Sequence, residues 1–171
     1  MQALITFFIE LCLLRRPPQD LPASDVLLAM VLVTDLIVGM LVGMTAGLSW
    51  IEGFLQSLVE VALMLTALYL TLKQLRLAQR FVQSGTALLG SGTLLGLIAL
   101  IPLSLNPTGS ETTDLATLGA FLLLGLIIWG VVVTGHILRH SFGITLGQGA
   151  AIAIAFEIFA VTLVTSLFGG A

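Results

Sequence analysis

Three carboxylates, Asp35, Glu60 and Glu157, stand inside long apolar stretches that hold no Lys or Arg to pair with them. An acid in that setting is costly, and it marks either a satisfied contact between helices or a place where a proton or cation is handled. Asp35 is followed by Gly39, Gly43 and Gly47 at four-residue spacing, so the four fall on one face of an α-helix. Glycines in that register open a groove for a neighbouring helix backbone. Glu157 ends a similar small-residue face made by Gly149 and Ala153, with Ala160 beyond it. At ~1.5 Å per residue, Asp35 and Glu157 each lie roughly 14 Å in from one membrane face, and Glu60 about 9 Å in from the other. The expectation is therefore a shared layer for Asp35 and Glu157, with Glu60 in a different one near water. The first and last apolar helices would pack together, or each on a neighbour. At least one acid would be protonated, because two close carboxylates in low dielectric do not both ionise cheaply. Thr34 and Thr162 are the nearby hydroxyls for a structural contact; a proton or cation relay is the alternative.

Other constellations carry less chemistry. His136 and His140, in H-I-L-R-H, would face the same way on a helix and could hold a metal, but no H-E-x-x-H or further His cluster accompanies them. At the end of a helix they also complement its dipole. There is no G-x-S-x-G, no usable Cys–His set and no P-loop; Gly92 and Gly96, four apart in G-S-G-T-L-L-G, read as helix packing. Cys12 stands alone, which excludes an internal disulfide and cysteine-based metal or haem motifs, and it reads as a small apolar residue. No catalytic residue, metal or cofactor is expected, and the chain does not read as an enzyme.

The elements that must position these groups are set by composition. Of 171 residues, 58% are apolar and 9% charged, with mean hydropathy +1.15. A soluble domain carries roughly 25% charged residues, so this chain is built for lipid. Its 6 Lys and Arg cannot form a nucleic-acid footprint. Residues 2–14 are apolar but short of the ~20 that cross a bilayer. Arg15 and Arg16 come after that run rather than before it, and no A-x-A site appears, so it reads as an interfacial helix rather than a signal peptide. Pro17, Pro18 and Pro22 make an extended linker, and Ser24 is the N-cap of the first long apolar helix.

An N-terminal arm, 1–23, thus precedes a bundle, 24–171, with spans at about 26–49, 54–72, 85–105, 115–138 and 148–168. The fold class is all-α: a polytopic membrane protein with five transmembrane helices plus the interfacial helix. Five spans put all 6 Lys and Arg on one face. By the positive-inside rule that face is cytoplasmic, which makes the N-terminus cytoplasmic and the C-terminus external, in an inner membrane. No sequence repeat is evident, and the odd count argues against a simple inverted duplication.

H-S-F-G-I-T-L-G-Q-G-A-A-I-A-I, at 140–154, and the arm F-F-I-E-L…P-P-Q-D-L-P-A-S resemble the Yip (Ypt-interacting protein) membrane family and its small bacterial members. The resemblance implies a short cytoplasmic arm, five spans and an external C-terminus. The longer cytosolic region that links eukaryotic members to small GTPases is missing from this sequence, so GTPase binding does not carry over. The functional expectation is a non-enzymatic scaffold or accessory subunit that contacts lipid, other membrane proteins or itself through glycine grooves. The alternative is a small proton- or cation-coupled transporter or channel component using Asp35 and Glu157.

Overall fold

A computed structural model describes residues 2–105 and 113–168; residues 106–112, with Asn106, Pro107 and Gly109, and the G-G-A terminus lie outside the described residues. The elements are α1 (Gln2–Cys12), α2 (Asp25–Thr45), α3 (Trp50–Gln74), α4 (Phe81–Leu105), α5 (Asp114–Phe142) and α6 (Leu146–Phe168), with 3-10 turns at Pro18–Asp20 and Ala78–Arg80. Among the described residues there is no strand, and α2 to α6 are each long and apolar enough to cross a membrane. Their outward side chains are apolar, Phe121 being 69% and Ile101 65% exposed, which suits lipid and not water. The chain is an all-α, polytopic membrane protein.

Helix ends are set by local chemistry. Ser24 and Thr113 accept from backbone N–H groups as N-caps of α2 and α5. Ser49 and Glu52 form a reciprocal capping box that starts α3 at Trp50, earlier than the expected 54. Gly143, with φ +74°, ends α5 in the left-handed conformation that favours glycine. Two helices end the same way without glycine. Leu14 (φ 60°) lies just past α1, where the Arg15 N–H closes on Glu10 O, and Arg76 (φ 59°) just past α3, where the Leu77 N–H closes on Leu72 O. Gly47 is not on the helical face assigned from its spacing. α2 stops at Thr45, and Gly47 takes φ +94° in the turn to α3. Its role is the backbone conformation of that turn, not helix packing.

The bundle is a ring with one thin seam. α2 packs against both α3 and α4, α4 against α5, and α5 against α6, whereas α6 and α3 touch only lightly. The first and last spans therefore do not pack on each other, and each packs on a neighbour. The arm is more deeply engaged than a helix laid on the surface. Phe7, Phe8, Leu11 and Cys12 are buried in a core shared with Leu72, Ala87 and Ile137, and the Phe8 ring occupies the space a side chain at Gly90 would need. This core lies at the basic end of the bundle, the end that carries Lys73, Arg80 and Arg139.

Candidate functional site

The acids converge on one depth. Asp35 bisects α2 and Glu157 bisects α6, while Glu60 stands two residues from the middle of α3. The expected separate, near-surface layer for Glu60 is thus corrected: starting α3 at Trp50 places it ten residues in, about 15 Å at the helical rise. Glu60 thus stands at about the level of Asp35 and Glu157, on a third helix.

Their surroundings differ. Asp35 is half-buried at the junction of α2 and α4, where Thr93 Oγ1 donates to Asp35 Oδ1 at 3.0 Å. Thr93 bisects α4, and its hydroxyl also lies 2.8 Å from Leu89 O. The neighbouring Gly92 leaves room for the carboxylate, since a Cβ there would stand 3.3 Å from Asp35 Oδ1. The hydroxyls expected to serve the acids are engaged elsewhere: Thr34 donates to Met30 O at 2.9 Å and Thr162 to Ile158 O at 2.7 Å. Glu60 and Glu157 are exposed, and neither has a hydrogen-bond or ion-pair partner among the described residues.

Glu157 opens onto a partly open cavity of about 1080 Å³ lined by α3, α4, α5 and α6. The cavity runs along α5 from Leu123 to Phe142, the last residue of that helix at the basic end. Glu157 is the one titratable side chain lining it among the described residues. Glu60 lies one helical turn before Met64, a lining residue, on the α3 stripe that continues through Ala67 and Thr71.

The small-residue grooves are filled from within. Gly39 faces Ser57, and Gly43 is so close to Gly53 that an added Cβ would stand 2.9 Å from the Gly53 Cα. A Cβ at Gly96 would stand 2.9 Å from Val38 Cγ1, and one at Gly149 would run into the Gly135 carbonyl. Ala153 is buried and lines the cavity floor beside Glu157. Gly39, Gly43, Gly96 and Gly149 thus pack on the chain's own helices, and Gly92 faces Asp35.

The histidines belong to a latch at the basic end. His136 Nε2 is 3.0 Å from Arg16 O, and the His136 and His140 rings stand edge to face at 4.7 Å. Arg80 Nη1 donates to His140 O and Ser141 O, each at 3.2 Å, and Gln83 Nε2 to Gln19 O and Leu21 O at 3.1 and 2.7 Å. The Ser84 and Ser141 hydroxyls meet at 2.7 Å. Arg16 pairs with Glu10 at 2.6 Å. Among the described residues no three His, Cys, Asp or Glu side chains gather to hold a metal ion. Sequence reasoning passed over Thr93, Gln83 and Ser84; for Thr93 the usable signal is that it stands at the same depth as Asp35.

Fold and site together define a membrane protein of five spanning helices with a carboxylate facing an intramembrane cavity. No protein-family model, no curated protein and no solved structure matches the chain.

Proposed function

We propose that this protein is a non-enzymatic carrier, or a carrier subunit, of the membrane, and that it moves a proton or cation by way of Glu157. One observation carries the reading: a mid-span carboxylate without a partner among the described residues faces a cavity that runs to the basic end of the bundle. A charge at that depth is tolerated where it faces a water-filled or ligand-filled space, and such residues mark substrate and ion pathways. Asp35, which the sequence places on equal terms with Glu157, takes the structural role through Thr93. By the positive-inside rule the basic end faces the cytoplasm of an inner membrane. The arm-plus-five-helix layout is the one the Yip resemblance implies, and kinship with that family is part of the same proposal.

The test is proton or cation flux in liposomes holding the purified full chain, driven by an imposed membrane potential. Wild-type protein and Asp35→Asn conduct, and Glu157→Gln does not. Equal flux in wild type and Glu157→Gln would refute the reading. A scaffold role is the second reading, favoured by the wide apolar outer surface of α5, where Gly125 has open space around it. Its partners would be lipid and other membrane proteins or a second copy.

A further inference from the structure

Resting on the carrier reading, we infer that the cavity between α3, α4, α5 and α6 takes a lipophilic cation, an apolar body bearing one delocalised or substituted positive centre that ion-pairs with Glu157. The cavity's own chemistry selects that class. Its volume of about 1080 Å³ is at the upper end of small-molecule sites, which run to about 1,000 Å³. Most of its wall is aliphatic, from Leu95, Ile127 and Val131 to Ile154 and Val161, with Phe142 and Phe156 adding ring surface.

The polar groups are few and mostly occupied. Thr71 donates to Ala67 O at 2.8 Å, Ser91 to Leu88 O at 3.0 Å and Thr162 to Ile158 O at 2.7 Å. That leaves Thr134 as one hydroxyl and Glu157 as the one carboxylate facing the space. A sugar, an amino acid or a nucleotide would lose its hydration there and find too few partners, a penalty that excludes polar ligands. An anion would meet Glu157 with the wrong sign. An alkali cation would find one carboxylate and a few scattered hydroxyls, fewer oxygens than the roughly six or more that replace a hard cation's water shell. A weakly hydrated cation with a large apolar body loses little on leaving water, gains contact with the aliphatic wall, and neutralises the acid.

The ring's thin seam supplies a route in. α3 and α6 touch only lightly, and Glu60 and Glu157 stand exposed on those two helices near mid-span. A lipophilic cation dissolved in the bilayer can reach Glu157 sideways through this seam, with Glu60 as a second carboxylate on the approach. No water-filled vestibule is then required on the outer side.

The experiment measures equilibrium binding of tetraphenylphosphonium to the full chain in lipid nanodiscs. Tetraphenylborate, of the same shape and opposite charge, is the control. The expected result is saturable binding of the cation, none of the anion, and an affinity lowered roughly 30-fold or more by Glu157→Gln. Glu157→Asp, which keeps the charge, restores part of that loss, so a misfolded Gln variant does not decide the matter. Leu126→Trp, which narrows the cavity without touching an acid, also weakens binding. Binding that is absent, equal in Glu157→Gln, or unaffected by Leu126→Trp overturns the inference. Glu157-dependent proton flux without cation binding would overturn the ligand class alone; loss of both would remove the carrier reading beneath it.

Discussion

The α2–α4 junction and the α3–α6 seam each bring a carboxylate to mid-span, and they differ in everything around it. At the junction, helices meet through Gly92, Gly96 and Val38, and Asp35 receives a hydrogen bond from Thr93. At the seam, helices barely touch, and Glu60 and Glu157 face open space. Residue type and depth are alike, so neither decides what an intramembrane acid does. The deciding feature is whether a hydroxyl on the facing helix stands at the same level. Where one does, the acid is a bolt; where none does, the acid remains available to a ligand.

The largest effects should come from removing the close approaches that hold the ring. Gly149→Leu should prevent stable assembly, because even a Cβ there meets the Gly135 carbonyl, and Gly149→Ala should cost about 1–3 kcal/mol. Gly147→Ala, with nothing within 4 Å, should change stability by less than ~0.5 kcal/mol. Unfolding in mixed detergent micelles would show the two glycines, two residues apart, behaving oppositely.

Next in size is the contrast between the acids themselves. Thr93→Val leaves Asp35 without its donor and should cost about 1–3 kcal/mol, with Glu157-dependent flux retained. Glu157→Gln should abolish flux while leaving thermal stability unchanged or raised, since it removes a carboxylate that has no partner among the described residues. Variants that lose stability and flux together at both sites would erase the distinction.

The arm gives a chemical test of smaller consequence for the bundle. Burial in the α1 core pushes the Cys12 thiol up to about 11 from 9.0. Below both values the reactive thiolate fraction is lower in the folded state by about two powers of ten. Maleimide labelling at neutral pH should therefore be at least ~100-fold slower folded than unfolded. Rapid labelling of the folded protein would show the arm undocked. Smallest of all, Arg76→Gly should stabilise α3's end by about 0.5–1 kcal/mol, because Arg76 holds a φ of 59° that glycine adopts without strain.

The membrane class and the existence of five spans were legible in the sequence because both depend on composition over about twenty residues. Helix ends were less so, and the error propagated. Placing the second span's start after Gly53 rather than at the Ser49 cap shortened Glu60's depth by four residues, about 6 Å, and put it in the wrong layer. Gly47 shared the spacing of Gly39 and Gly43, yet a four-residue repeat cannot reveal that the helix has already stopped. Which helix faces Asp35 was not legible, because Thr93 lies 58 residues away and only tertiary pairing joins them. The cavity is likewise a property of how four helices meet, and no single stretch of sequence holds it.

The most direct measurement is chemical access to the two bisecting acids. In a Cys12→Ser background, Glu157→Cys and Asp35→Cys would each be exposed to a small ammonium-bearing methanethiosulfonate in bilayers. Fast modification at 157, with protection at 35, is the predicted result. Equal rates, or faster reaction at 35, would contradict the assignment of one acid to the cavity and the other to the frame.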